Sequence, residues 1–230
     1  MSETISDSER DVKPIISPPD TQRRILITAI ALALALLVSF LFTRYSAYRK
    51  VQENYYGQAL VPAKDAFDFH LVDQNGNPFR LSQLRGKAVL FSFGFTHCPN
   101  VCPTTLSDLA RIYRALPENR RQNVQVLFIS VDPRRDKPDV MKKYVPYFEE
   151  SFIGLTGTEA QIAETAKAYG AFYEIAHNPG ENGENYSVNH SAFIYLINPS
   201  GKWKLLYNFD QLGDAKNLVH DIERVLGESW

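Results

Sequence analysis

Cys98 and Cys102 are the only two cysteines in the 230-residue chain, and they lie four positions apart in Cys-Pro-Asn-Val-Cys-Pro. The apolar run Ala88 to Phe95 precedes them, and Pro103 opens a stretch in which Leu106, Leu109, Tyr113 and Leu116 recur at helical spacing. A proline in the first turn of a helix forfeits no hydrogen bond. The pair therefore sits where a strand hands over to a helix, and the amides and dipole of a helix N-terminus favour negative charge there. A thiolate is the form that attacks disulfides and the form that binds soft metals, so the chemistry is either thiol redox exchange or metal capture. A plain stabilising disulfide has weak motivation, because closing so small a loop restricts the unfolded chain little. A thioredoxin-type redox pair is C-x-x-C, one residue shorter. The extra residue still permits a disulfide, but it suits two sulfurs converging on one ion, with a third ligand supplied by a distant part of the chain.

Five histidines compete to be that ligand. His220 lies off the apolar face of the last helical segment, and His70 is on the polar side of an edge-like strand. His177 opens an irregular stretch. His97 adjoins Cys98, but neighbouring side chains in extended backbone point opposite ways. His190 begins an expected strand, Ser191–Ile197, where a side chain can emerge beside the end of another strand. Spacing alone singles out none of them.

The elements that would hold these residues are legible in outline. Phe67, Phe69 and Leu71 alternate with Asp68 and His70, as in a half-buried strand, and the turn Asn75-Gly76-Asn77-Pro78 follows. Ala88 to Phe95 and Val124 to Val131 are continuous apolar runs suited to central strands covered on both faces. Helices are expected from Pro103, from Pro138 through Tyr144 towards Phe148, and over Glu159 to Tyr169. Asn178 to Asn185, with Pro179, Gly180 and Gly183, reads as a surface excursion. Two strands then flank the turn Asn198-Pro199-Ser200-Gly201, and a final helix shows Leu218, Ile222, Val225 and Leu226 on one face. This order suggests a thioredoxin-like α/β fold, a sheet with helices on both faces.

Charge and hydropathy place that domain. With 25 Lys and Arg against 26 Asp and Glu, no basic field exists for nucleic acid. Ile25 to Thr43 contains no charged residue, and about 20 such residues cross a hydrocarbon core of about 30 Å. A cleaved signal peptide would have a shorter apolar core and a small-residue cleavage site, so an uncleaved anchor is the better reading. The chain then divides into a short cytoplasmic tail (1–24), a transmembrane anchor (25–43), a linker (44–60) and a domain (61–230). Arg10, Lys13, Arg23 and Arg24 precede the span and Arg44, Arg49 and Lys50 follow it, so the flanking charges do not set its orientation. Beyond Lys50 the balance of charge is mildly acidic.

Three ordered motifs carry a family resemblance. Gly94 to Leu106 (Gly-Phe-Thr-His-Cys-Pro-Asn-Val-Cys-Pro-Thr-Thr-Leu), Ser130 to Pro138 with Tyr144 and Phe148 after it, and Tyr186 to Gly201 together resemble the Sco/SenC family of copper proteins over about residues 60–226. The resemblance implies a thioredoxin-like copper-binding domain with Cys98, Cys102 and His190 as ligands. Thiolates suit Cu(I), and imidazole also accepts Cu(II). It further implies that Cys98 and Cys102 form a redox-active disulfide when empty, and that Asp132, Asp136 and Asn189 stand behind the ligands. The expected partner is the CuA-bearing subunit of a haem–copper (cytochrome c) oxidase, or another copper protein. The expected place is a bacterial inner membrane, with the domain in the periplasm. No proline lies between Tyr186 and Ile197, so the cis-proline of thioredoxins is missing from that segment. Asn100, Asn189 and Asn198 stand where many relatives carry Asp. Loss of carboxylates beside the thiolates is expected to lower the cysteine pKa. A carrier rather than an enzyme is the leading expectation. A membrane-tethered thiol–disulfide oxidoreductase that keeps client cysteines reduced is the alternative, and a peroxiredoxin-type peroxidase would need a peroxide site that no motif supplies.

Overall fold

The computed structural model describes residues 20–177 and 186–227, so the expected excursion Asn178 to Asn185 lies outside the described residues, as does most of the N-terminal tail. The chain divides into two units between Tyr48 and Arg49. The first is built on helix α1, Asp20–Gln52, whose apolar side chains from Ile25 to Phe42 are all exposed. The hydroxyls of Thr28 and Thr43 donate to carbonyls of their own helix, Ile25 O at 2.9 Å and Phe40 O at 2.8 Å. These bonds satisfy both threonine hydroxyls within the helix, as a hydrocarbon environment would require. At 1.5 Å per residue, 33 residues span about 50 Å, more than the hydrocarbon core needs. The stretch read as linker is therefore helical as far as Gln52, because a helix already nucleated extends cheaply through Arg44, Ala47, Arg49 and Lys50, all good helix formers.

The second unit is a mixed sheet with its helices. Its elements are β1 (Gln58–Asp65), β2 (His70–Asp73), β3 (Pro78–Arg80), β4 (Ala88–Gly94), α2 (Val101–Ala115), α3 (Glu118–Arg121), β5 (Val124–Ser130), α4 (Pro138–Tyr144), β6 (Ile153–Thr156), α5 (Glu159–Ala168), β7 (Tyr173–His177), β8 (Tyr186–His190), β9 (Ile194–Ile197), β10 (Lys202–Tyr207) and α6 (Ala215–Gly227). Eight strands form one sheet in the order β1-β10-β9-β4-β5-β6-β2-β3, and β7 and β8 form a separate antiparallel ribbon. Among the described residues only β4–β5 and β5–β6 are parallel pairs. Every residue of β4 is buried, and all but one of β5, which confirms that these apolar runs are central strands covered on both faces.

The layers follow from amphipathic faces. Leu106, Leu109 and Ile112 of α2 and Leu218, Ile222 and Val225 of α6 are buried, and these two helices pack together. Across the sheet an aromatic cluster includes Phe91 stacked on Tyr195 at 4.8 Å and Tyr169 edge-on to Phe91 at 4.8 Å. Asn75-Gly76-Asn77 closes the β2–β3 hairpin as expected, with Gly76 at φ +83°, a backbone region open to glycine. The arrangement is the thioredoxin-like α/β fold expected from the order of elements.

Candidate metal centre

Two parallel neighbours set the floor of the site. Gly94 ends β4 opposite Ser130, the end of β5, so the loops that follow both strands leave the sheet side by side. In α/β sheets the crevice beyond the carboxyl ends of parallel strands is the usual place for a ligand. The loop after β4 holds Cys98 and leads into α2, and the loop after β5 holds Asp132 and Asp136.

Cys98 is half-buried, Cys102 is buried in the first turn of α2, and both are free thiols. Gly94 makes room for the second sulfur: a β-carbon there would lie 2.9 Å from Cys102 Sγ and 2.5 Å from the Phe128 ring. The amide N–H of Cys102 donates to Cys98 Sγ at 3.4 Å, so the helix N-terminus does turn a donor towards the first sulfur. At Cys102 the outcome differs from the sequence expectation. Burial pushes its thiol far up, and the amide of Phe95 offsets this only in part. Desolvation of the anion outweighs the helix dipole there.

His190 comes from the end of β8, not from the start of the strand after it. Ser191 to Phe193 are irregular and β9 begins only at Ile194, so the separate β7–β8 ribbon delivers the imidazole. Nδ1 lies 3.1 Å from the Ser191 carbonyl and Nε2 lies 3.3 Å from Cys102 Sγ. A carbonyl can only accept, which assigns the proton to Nδ1 and leaves Nε2 to accept the thiol proton of Cys102. Burial holds the His190 pKa below its ordinary value, so the ring is neutral and ready as a ligand. Phe95 packs edge-on against it at 5.8 Å.

The three potential ligand atoms, one each from Cys98, Cys102 and His190, lie within 4.8 Å of one another. Bonds of roughly 2.0–2.3 Å to a single ion keep ligand atoms within about 4.6 Å of each other, so slight closure suffices. Two sulfurs and an imidazole are a soft donor set that fits copper. The other histidines stand apart. His70 is exposed, the His220 side chain is 64% exposed, and His97 turns Nδ1 to the Thr96 hydroxyl at 3.1 Å. His177 ends β7, and its side chain is outside the described residues.

The two aspartates brace different halves of this cluster. Asp136, fully buried, accepts from the Thr96 amide at 2.9 Å, the Thr96 hydroxyl at 2.6 Å and the Ser130 hydroxyl at 2.5 Å. It thereby ties the cysteine loop to the end of β5. Asp132, also fully buried, accepts from the Tyr186 hydroxyl at 2.5 Å and from Arg135. Arg135 in turn donates to the Tyr186 carbonyl at 3.0 Å and lies 3.8 Å from the centre of that ring. Asp132 thus fixes the first residue of the strand whose last residue is His190. Asn189 is exposed on β8, opposite Glu174, and Asn100 is the exposed N-cap residue of α2 with no side-chain cap bond. Asn198 holds its own turn, accepting from the Ser200 hydroxyl at 2.9 Å and the Lys202 amide at 2.8 Å. Thr96, Ser130, Arg135, Phe95 and Gly94 were not singled out from sequence as parts of the site. Their contacts bridge segments up to 95 residues apart, and no local period records them.

The SCO1/SenC family profile matches residues 59–227. The chain belongs to the SCO1/SenC family. A SCO2-like protein of Rickettsia prowazekii is 40% identical over 142 residues, 62% of this chain and 68% of that relative. Among solved structures, apo Sco1 of Thermus thermophilus superposes with a TM-score of 0.68 at 40% identity, covering 74% of this chain and 96% of that one. Yeast Sco1 with copper bound gives 0.64 at 34% identity, covering 72% and 91%. The match spans about two thirds of the length of the Rickettsia relatives.

Proposed function

We propose that this chain is a membrane-anchored copper chaperone that binds copper through Cys98, Cys102 and His190 and helps to metallate the CuA site of a haem–copper oxidase. The convergence of those three ligand atoms within 4.8 Å carries the proposal. The copper held by yeast Sco1 and the tie of Sco proteins to cytochrome c oxidase assembly support it. The apolar helix over Ile25 to Thr43 supports an anchor, which would raise the effective concentration of the carrier near a membrane-bound client. In this reading the helix sits in a bacterial inner membrane with residues 1–24 as a cytoplasmic tail, and the domain works in the periplasm. The CuA-bearing subunit is its partner, and the protein is a carrier rather than an enzyme.

Each residue has a task in loading. The buried Cys102 thiol holds its proton until a soft cation displaces it, so uptake should release protons. His190 offers Nε2 because Ser191 occupies Nδ1. Asp136 and Asp132 hold the cysteine loop and the histidine strand in register for a single ion. In this reading the two sulfurs, within 4.8 Å of each other, close to a reversible disulfide when the site is empty. The alternative, a thiol–disulfide oxidoreductase, needs an attacking thiolate. Burial works against that at Cys102 and leaves Cys98 as the candidate nucleophile.

The test is copper titration of residues 49–230 and of its Cys98→Ala, Cys102→Ala and His190→Ala variants. One equivalent should bind the parent, with stable Cu(II) binding lost in all three variants. Binding that survives all three substitutions would sink the site assignment. Thiol-reductase activity that survives His190→Ala with no copper binding by the parent would favour the oxidoreductase.

A further inference from the structure

Tyr144 closes α4, and its hydroxyl oxygen is shut away from solvent with no hydrogen-bond partner among the described residues. Buried hydroxyls nearly always find a partner, and one left unpaired costs stability, so this one calls for an explanation. Its ring packs on Phe128, 5.8 Å between centres, and edge-on to Phe148 at 5.3 Å. The Phe128 ring and Cys102 Sγ crowd the same space beside Gly94, so Phe128 is a wall shared by the tyrosine and the buried cysteine. Besides burial, the groups that oppose ionisation of the phenol are Cys102, Cys98 and Asp136. The phenol therefore keeps its proton to give, and its ring lies against the same Phe128 wall that borders Cys102 Sγ. Asp136 is already engaged by Thr96 and Ser130. Of these three groups the two sulfurs are left to accept, and they are poor acceptors as thiols and good ones as metal-bound thiolates.

We propose that the Tyr144 hydroxyl is a hydrogen-bond donor to the copper-bound Cys98–Cys102 sulfurs, a positioning residue unpaired in the empty site and paired in the loaded one. A hydrogen bond to a ligand sulfur draws electron density from it, which favours Cu(I) over Cu(II). The inference rests on the copper-binding reading above.

The test compares the full-length chain in detergent micelles with its Tyr144→Phe variant, each titrated with Cu(I) and Cu(II). The variant should keep one equivalent of copper. Its sulfur-to-Cu(II) charge-transfer band should move to longer wavelength, and its Cu(I)-to-Cu(II) affinity ratio should fall about tenfold, equal to 59 mV for one electron. The copper-free variant should melt at the same temperature as the parent or higher, because only an unpaired hydroxyl has been removed. An unchanged band and ratio, or a copper-free variant that melts lower, would overturn the assignment. If the parent binds no copper, the copper-binding reading fails and this inference fails with it. If the parent binds and the variant is indistinguishable, only the role of the hydroxyl fails.

Discussion

Asn100 shows how one residue can pull stability and metal binding in opposite directions. It caps α2 without a side-chain hydrogen bond and lies between the two cysteines. In an Asn100→Asp variant, a carboxylate would complement the helix N-terminus, a gain of about 0.3–1 kcal/mol. The same charge would raise the pKa of any nearby thiolate, so protons would compete with copper at a higher pH as the solution is acidified. The variant should melt slightly higher and release copper earlier on an acid titration followed by the sulfur-to-metal absorption band. If it holds copper to as low a pH as the parent, the electrostatic account of this asparagine is wrong. The cysteine pair and its helix were legible from six residues, because spacing and Pro103 are local signals. The raised Cys102 thiol was not. Its cause is burial beside Gly94 and Phe128, which only the assembled fold creates.

Among the elements, the central strands β4 and β5 and the helices α2, α5 and α6 were legible because apolar runs and helical periods declare them within ten residues or so. The β7–β8 ribbon was not, and its absence misplaced His190 at the start of β9. A short antiparallel ribbon is defined by cross-strand pairs such as Tyr173–His190 and Ile175–Val188, which no local pattern reveals. What anchors the ribbon near the site is the Tyr186–Asp132 hydrogen bond. Burial first, and then this bond to a carboxylate, push the Tyr186 phenol up to about 12. A folded-state pKa above the unfolded value of about 10 means the contribution is fully present below pH 10 and is lost as pH rises towards 12. Tyr186→Phe should therefore cost about 1–3 kcal/mol at pH 7, since Asp132 stays buried with one partner fewer. The gap from the parent should shrink between pH 10 and 12 in denaturant melts, and Cu(II) affinity should fall as His190 loses its brace. A gap that stays constant across that alkaline range would show that the hydroxyl's proton plays no part.

The whole molecule pairs an apolar helix with a domain whose first core contacts come from the last turn of that helix. Val51 and Tyr55 pack against that core, and the buried Asp221 accepts from the amides of Tyr56 and Gly57 and from the Tyr207 hydroxyl. Gln52 adds a bond from its side chain to the Gly57 carbonyl at 3.0 Å and accepts from the Ala59 amide at 2.9 Å. The apolar helix was legible from composition alone, while the flanking arginines and lysines nearly balance and set no orientation. These contacts put everything the domain needs after Tyr48. Residues 49–230 without the anchor should therefore fold cooperatively and bind copper with the affinity of the full chain, within about twofold. Delivery should behave differently. A tether confines carrier and client to one surface, where millimolar effective concentrations replace those of free encounter. The untethered domain should metallate a membrane-held CuA subunit in vesicles at a rate proportional to its bulk concentration, while the anchored chain reconstituted with that subunit should not depend on bulk volume. Equal rates at matched micromolar totals would mean that the helix contributes nothing to delivery.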